Sequence, residues 1–192
     1  MRRSLGIEKS CAAYNKAKDE RFLFAMKSVS KKNAAKRVDW KRLILCLVLP
    51  LAVGGLAALL TGESMQSYSE LAQPPFSPPG IVFPIAWTAL YLLMGISSYL
   101  VCDAPAPLAL RKRAAVLYIL QLFFNFVWPI LFFKFQAYLA AFIWLLALLG
   151  LVIAMVLAFR RVSHAAAWLQ LPYLLWVCFA AYLNCGVWLL NG

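Results

Sequence analysis

The stretch QPPFSPPGIVFPIAWTALYLLMGISSYLV, residues 73–101, decides the fold because it joins a proline-rich segment to a long apolar run. Four prolines fall between residues 74 and 79, and proline fixes φ and has no N–H. These prolines cannot lie inside a helix, and they predict a stiff, extended approach to one. The apolar run is about as long as a helix that crosses a bilayer core, roughly 20 residues. Trp87 and Tyr91 share one face of this predicted helix.

The composition of the whole chain is that of a membrane protein. Of its 192 residues, 64% are hydrophobic and 14% are charged, with a mean hydropathy of +0.77. Soluble domains carry roughly 25% charged residues. Five apolar runs without Asp, Glu, Lys or Arg are long enough to span a bilayer: residues 43–60, 81–101, 114–133, 137–159 and 167–190. The sequence therefore predicts an all-α integral membrane protein, a bundle of five transmembrane helices.

The distribution of charge predicts how the bundle is oriented. The formal net charge is +12, and residues 1–42 hold 13 Lys and Arg against four acidic residues. The loops between the five runs carry −2, +2, +1 and +2 in chain order. Because basic residues concentrate on the cytoplasmic side, the amino terminus is predicted inside and the carboxyl terminus outside. Basic residues beside a first span set topology and contact anionic headgroups, and no nucleic-acid-binding motif accompanies them, so nucleic acid is not an expected partner.

Composition also divides the chain into two parts. Residues 1–37 form a basic amino-terminal extension rich in Lys, Ala and Ser, and residues 38–192 form the five-helix membrane domain. Disorder, or a start codon assigned too far upstream, is the favoured interpretation of the extension. A short interfacial helix at residues 21–29 is the alternative.

Three of the predicted spans each carry a stripe of aromatic and amide side chains. Such groups are costly in lipid unless they face the protein interior or a cavity. Read at helical spacing, the stripes are Trp87 and Tyr91 on the second span, Gln121, Asn125 and Trp128 on the third, and Tyr173, Trp176, Ala180 and Asn184 on the fifth. Helix packing and interfacial belts are the alternative, which is favoured for the tryptophans near span ends, Trp40, Trp168 and Trp188. Aromatic walls with a few amide groups suit a flat, largely apolar ligand.

Groups suited to catalysis or metal binding are missing from the sequence pattern. The five cysteines form no C-x-x-C motif and His164 is the single histidine, so neither a metal site nor a cofactor is expected. No carboxylate pair or Ser/His/Asp set lies within the predicted spans, and no charged residue there marks coupled ion transport. A binding protein therefore fits best, and no catalytic residue is assigned.

Four motifs together resemble the translocator protein (TspO/MBR) family, also called the tryptophan-rich sensory protein or peripheral-type benzodiazepine receptor family. They are QPPFSPPGIVFP, AWTALYLLMG, LQLFFNFVWPILFF and LPYLLWVCFAAYLN, and the resemblance extends over residues 43–188. It implies a five-helix bundle that binds porphyrins, sterols or synthetic isoquinoline and benzodiazepine compounds. It also implies a pocket under a proline-stiffened lid, the loop at residues 61–80. The implied walls are Tyr68, Trp87, Tyr91, Asn125, Trp128, Trp176, Ala180 and Asn184.

Two departures from the family pattern bear on the ligand. The loop has Ser67-Tyr68 and Phe76 where members often have a Trp-Tyr pair and a tryptophan. The aromatic lid is thinner as a result, which weakens the expectation of porphyrin breakdown. After Leu183-Asn184 the chain continues CGVWLLNG, without the Tyr and Arg of the animal cholesterol-recognition stretch. This segment therefore does not support sterol recognition.

The favoured function is a membrane receptor, sensor or carrier for a porphyrin, a haem-like molecule or a similar flat ligand, with sterol or lipid as further candidates. The alternatives are an enzyme that degrades bound porphyrin through Trp87 or Trp176 and a scaffold that acts through partner proteins, because a fold does not settle a function. A homodimer is expected if the small-residue stripe of Gly150, Ala154 and Ala158 packs between copies rather than inside the bundle. The topology is typical of a bacterial inner membrane, with an organellar membrane as the alternative.

Overall fold

A computed structural model of the chain describes residues 38–62 and 70–192. Within these ranges all regular structure is helical. The helices are α1 (Trp40–Thr61), α2 (Val82–Asp103), α3 (Leu108–Pro129), α4 (Tyr138–Arg160), α5 (His164–Leu169) and α6 (Leu171–Asn191), and a π-helical turn (Ile130–Lys134) continues α3. Five segments of the described chain are long and apolar enough to cross a membrane, with α5 and α6 together making the fifth. The predicted five-span, all-α membrane fold is confirmed, whereas the domain assignment of residues 1–37 falls outside the described residues.

The third and fifth spans differ most from the prediction, and the other spans begin and end within three residues of it. The third span begins at Leu108 rather than at residue 114, so that the basic run 111–113 lies in the first turns of α3 instead of a loop. Lys and Arg are good helix formers whose long stems let the charged ends reach water, which allows the helix to start early. The fifth span is interrupted at Gln170, between α5 and α6, and Pro172 follows in the first turn of α6. Proline is tolerated there because the first helical N–H groups have no partner inside the helix.

The core of the bundle lies around α4. Most of its buried residues recur at a spacing of three or four, which places them on one face: Ala141, Leu145, Leu148, Val152, Met155 and Ala158, with Phe159 also buried at the end. By contrast, α1 lies at the edge, and only Pro50, Ala57 and Thr61 are buried along it. Leu45 and Leu59 of α1 are 73% and 82% exposed, respectively. Such side chains suit contact with lipid tails.

The backbones of α1 and α2 come into direct contact at Gly95. A Cβ at this position would lie 2.8 Å from the Cα of Leu47 and 2.9 Å from the carbonyl oxygen of Cys46. Pro50 has no N–H, so that carbonyl oxygen lacks the usual donor four residues further on. Glycine is therefore needed at position 95, as at many close helix crossings in membranes.

The proline-rich segment before α2 rests on α6. Pro74 packs against Gly186, where a Cβ would overlap the proline ring, and the Pro75 carbonyl accepts a hydrogen bond from the Tyr182 hydroxyl at 2.8 Å. The Asn191 side chain accepts from Ala72 N at 3.0 Å and donates to Ala72 O at 2.9 Å.

The extended approach predicted for this segment is wrong between residues 74 and 77. The chain makes a turn there, in which Ser77 N donates to Pro74 O at 3.3 Å and Phe76 has a φ of +63°. Pro75 supplies the fixed φ that favours the second position of a turn. The proline-rich segment therefore packs on α6 as a turn rather than as a straight, extended segment.

Candidate functional site

A cavity of about 120 Å³ lies between α1, α2 and α3, near the ends of α1 and α2 that residues 62–81 connect. Its lining consists almost entirely of small and aromatic residues. They are Gly54, Ala57, Ala58 and Thr61 from α1, Phe83, Pro84, Trp87 and Tyr91 from α2, and Asn125, Trp128, Pro129 and Phe133 from α3 and its π turn. No Asp, Glu, Lys, Arg or His is among these lining residues. Asn125 is the one side-chain amide.

Aromatic rings form two walls of the cavity. The rings of Trp87 and Tyr91 lie 5.5 Å apart at 28°, which is typical of offset stacking. On the second wall the rings of Trp128 and Phe133 meet edge to face, 6.2 Å apart at 75°, and Trp128 also stacks on Phe132, which does not line the cavity. The third wall is the small-residue face of α1, where a Cβ added to Gly54 would collide with the Tyr91 ring. Glycine at position 54 is therefore what allows the Tyr91 ring to lie against α1.

A chain of buried hydrogen bonds fixes the polar edge of the cavity. The Tyr91 hydroxyl donates to Asn125 Oδ1 at 2.8 Å, and Asn125 Nδ2 donates to the Tyr173 hydroxyl at 3.1 Å. The Tyr173 hydroxyl in turn donates to Gln121 Oε1 at 2.8 Å. All four residues are buried. The chain joins α2, α3 and α6, so the position of the Asn125 amide is set by three helices.

A second pair of hydrogen bonds orients Trp128. Its indole N–H donates to Asn184 Oδ1 at 3.0 Å, and Asn184 Nδ2 donates to the carbonyl of Tyr138 at 2.9 Å. A buried indole normally needs such an acceptor, which leaves the ring face free for apolar contact.

Pro129 changes the backbone of α3 at the cavity. Because proline has no N–H, the carbonyl oxygen of Asn125 has no helical donor four residues further on. The helix then widens into the π turn, where Phe135 N donates to Ile130 O at 3.0 Å. Such π segments are frequent at functional sites.

The predicted site residues fall into three groups. Trp87, Tyr91, Asn125 and Trp128 line the cavity. Behind it, Tyr173 and Asn184 hold Asn125 and Trp128 through the hydrogen bonds above, and Gln121 holds Tyr173. Neither Trp176 nor Ala180 lines the cavity: Trp176 contacts the lining residue Phe83 edge-on at 6.1 Å, and Ala180 is buried in the bundle. Tyr68 falls outside the described residues, and none of residues 70–80 lines the cavity.

Sequence reasoning missed the α1 wall and the residues that flank the stripes. The missed lining residues are Gly54, Ala57, Ala58, Thr61, Phe83, Pro84, Pro129 and Phe133. A signal for the α1 wall was present, since Gly54, Ala57, Ala58 and Thr61 recur at i, i+3, i+4 and i+7 on one helical face.

Five apolar membrane-spanning segments define a multi-pass membrane protein, and the cavity lies among the first three. The sequence model of the TspO/MBR family matches residues 46–189, which is more than half of the chain. The chain therefore belongs to the TspO/MBR family, and the resemblance seen in the sequence is confirmed.

Curated relatives agree with this family assignment. The tryptophan-rich protein TspO of Chlorobaculum tepidum is 36% identical over 150 residues, covering 78% of this chain and 95% of the relative. The translocator protein of Ovis aries is 39% identical over 132 residues, covering 67% and 77%. The tryptophan-rich sensory protein of Cereibacter sphaeroides is 32% identical over 154 residues, covering 80% and 94%. Together with the fold, these relatives support a membrane sensor or receptor.

Proposed function

We propose that this protein is a membrane receptor or sensor that binds flat, apolar ligands of the porphyrin class in the cavity between α1, α2 and α3. The observation that carries the proposal is the composition of the cavity wall. Stacked rings offer flat apolar faces, and the Asn125 amide, held by its neighbours, offers one polar contact at the edge. Receptor pockets for small molecules commonly combine apolar walls with a few fixed polar groups in this way.

The size of the cavity implies that a ligand displaces one wall. Its volume of about 120 Å³ is below the roughly 300–1,000 Å³ of typical ligand pockets. The α1 wall is the one expected to move, since α1 has three buried residues whereas α2 has eight. A helix with little buried surface costs less to displace than one in the core. On this proposal, α1 moves outward when a ligand enters.

Quenching of intrinsic fluorescence by protoporphyrin IX tests the site. We expect Trp87→Ala to weaken binding about 100-fold, because both the contact area and the stacking are lost, roughly 3 kcal/mol together. Trp87→Phe keeps a ring, so we expect its affinity for protoporphyrin IX to fall about tenfold or less. Circular dichroism and thermal melting check that each variant is folded.

Two further tryptophans supply the matched controls. Trp176→Ala removes a residue that contacts Phe83 without lining the cavity, and we expect a smaller loss than for Trp87→Ala. Trp168 is 70% exposed on α5, so Trp168→Ala should leave the affinity unchanged. Wild-type affinity in folded Trp87→Ala protein would remove the cavity from consideration as the ligand site. Time-dependent loss of the Soret band would instead favour a porphyrin-degrading enzyme.

We extend the proposal to a homodimer whose two copies pack through the small-residue stripe of α4, Gly150, Ala154 and Ala158. A Cβ at Gly150 would meet no atom within 4 Å and the residue is exposed, so this part of the stripe is open to a second copy. Ala158, by contrast, is buried inside the bundle. We expect Gly150→Ile to reduce cross-linked dimers in membranes about tenfold or less without unfolding the protein. An undiminished dimer yield would place the interface on another face.

The membrane in which the protein resides is a further part of the proposal. The bias of basic loops towards one side suits a bacterial inner membrane, and relatives occur in bacteria as well as in animals. An organellar membrane is the alternative. Fractionation of the source cells, with antibody detection, distinguishes the two.

A further inference from the structure

A second concavity lies at the opposite end of the bundle from the cavity, near the start of α1, the end of α2 and the start of α3. It is a groove of about 490 Å³ that shares no lining residue with the cavity. Its lining is mainly apolar, with basic residues among it: Arg42, Leu45, Cys46, Ser98, Val101, Cys102, Leu108, Arg111, Lys112, Ala115, Tyr118 and Phe159. We call this concavity the basic groove.

Positive charge is concentrated at this end of the described chain. The helix ends and short connections there carry seven Lys and Arg residues and two Asp residues, whereas those at the cavity end carry Lys134 and Glu70. Arg42 is paired with Asp39, with Nε and Oδ2 3.1 Å apart, so part of its charge is already balanced. Arg111 and Lys112 are the other two cations in the groove lining. An anionic partner therefore fits the groove better than a neutral one.

Two polar groups in the groove lining are buried and lack a partner within the described residues. Arg111 donates through Nη1 to the carbonyl of Cys102 at 2.8 Å, but its Nε–H has no acceptor. Tyr118 is only 5% exposed, and its hydroxyl lies near that of Ser98, which itself donates to the Gly95 carbonyl at 2.9 Å, but it reaches no partner at hydrogen-bonding geometry. Buried donors of this kind are normally satisfied by protein, water or a ligand. Both can donate to a phosphate oxygen.

The same groove offers an apolar surface beside these donors. Leu45, Val101 and Ala115 belong to three different helices and line it together. An occupant that matches both features has an anionic head and a hydrocarbon tail. The amino-terminal extension does not match, because residues 1–37 are themselves rich in Lys and Arg.

We propose that the basic groove binds one anionic phospholipid from the leaflet at this end of the bundle. The phosphate lies at Arg111, Lys112 and the Tyr118 hydroxyl, and an acyl chain lies along the apolar lining. Basic pockets between membrane helices are suited to anionic headgroups at the cytoplasmic side, which is where the loop charges predict this end to be. This site is separate from the cavity, so the proposal does not depend on porphyrin binding.

Native mass spectrometry of the full-length protein in mild detergent tests the groove. The probes are phosphatidylglycerol and phosphatidylcholine with the same acyl chains. We expect one molecule of phosphatidylglycerol to bind in preference to phosphatidylcholine. The double variant Arg111→Gln/Lys112→Gln should lose about 30-fold in phosphatidylglycerol affinity, because each basic residue near an anionic lipid contributes about fivefold.

The matched control removes the same charge from the same end of the bundle. Arg160→Gln/Arg161→Gln changes two residues outside the groove, so its affinity for phosphatidylglycerol should fall less than about threefold. Tyr118→Phe keeps the ring and removes only the hydroxyl. We expect this variant to remain folded and its affinity for phosphatidylglycerol to fall about fivefold. This variant keeps the test valid even if loss of the bond from Arg111 to Cys102 weakens the fold.

Three outcomes would overturn the proposal. Equal binding of the two phospholipids would show that the headgroup is not recognised. An equal loss in both double variants would show general attraction to the basic end rather than a site. Displacement of phosphatidylglycerol by the same concentration of inorganic phosphate would identify a free-anion site that does not need the lipid tail.

Discussion

The cavity and the basic groove both take most of their lining from α1, α2 and α3, with Phe159 of α4 added in the groove, yet the polar side chains that line them are paired to different degrees. In the cavity, the side-chain groups of Tyr91, Asn125 and Trp128 are all paired within the protein. In the groove, Arg111 Nε and the Tyr118 hydroxyl are buried without a partner. Because Asn125 keeps only its spare amide capacity for a ligand, we expect the cavity to select mainly through its flat apolar walls, whereas the unpaired donors of the groove favour an anion. The pairing of polar groups thus distinguishes two sites whose walls are similarly apolar.

The largest expected effect concerns which side of the membrane each site faces. The loop charges predict the cavity end outside and the basic end inside. In a cysteine-free background, Phe76→Cys should react with a membrane-impermeant maleimide in intact cells, because Phe76 is 89% exposed at the cavity end. Ala109→Cys, exposed at the start of α3, should react only after permeabilisation. The opposite pattern would reverse the orientation of both sites.

The next effect separates the two sites by filling one of them. Gly54→Leu places a side chain into the cavity and against the Tyr91 ring, so we expect protoporphyrin affinity to fall about 100-fold. Phosphatidylglycerol binding should not change, because Gly54 does not line the basic groove.

The adjacent glycine provides the control for this substitution. Gly55 is exposed, and a Cβ there would meet no atom within 4 Å, so Gly55→Leu should preserve porphyrin affinity and folding. Equal affinities in the Gly54 and Gly55 variants would mean that the α1 wall is not part of the ligand site.

The smallest effect tests the paired state of the cavity edge. Asn125→Leu keeps the volume but removes the acceptor of Tyr91 and a donor to Tyr173. We expect it to lower the free energy of unfolding by about 1–2 kcal/mol, since buried hydrogen bonds between membrane helices are worth about 0.6–1.7 kcal/mol each. Denaturant titration in detergent micelles measures this change.

A double-mutant cycle shows whether the loss comes from the hydrogen bond. Tyr91→Phe alone should lower the free energy of unfolding by less than Asn125→Leu does. The double variant should lower it by little more than Asn125→Leu alone. Strict additivity of the two single losses would contradict the paired network.

Much of the fold was predictable because lipid imposes simple requirements on sequence. Length and hydrophobicity are sufficient to find five spans, and helical spacing places Asn125 and Trp128 on one face. The same spacing placed Trp176 and Ala180 on a stripe, but it could not show which neighbour that stripe faces. Their positions away from the cavity follow from how α6 packs, and this depends on contacts between distant helices.

The α1 wall was harder to predict for a different reason. Gly54 and Ala57 have no chemical group that marks a site, so they are notable only for the space they leave beside Tyr91. The partners of buried polar groups are equally hidden in the sequence. Asn125 could have bonded to any of several tyrosines, and the choice of Tyr91 and Tyr173 requires the three-dimensional arrangement of three helices.

Pro129 sets a feature of the main chain beside the cavity. Because proline has no N–H, the carbonyl oxygen of Asn125 lacks its helical donor, and Asn125 and Pro129 both line the cavity. Substitutions among the other lining side chains can reshape the binding space, but they do not restore that donor. The interruption of the α3 hydrogen-bond ladder therefore persists through any change of lining side chains that retains proline at position 129.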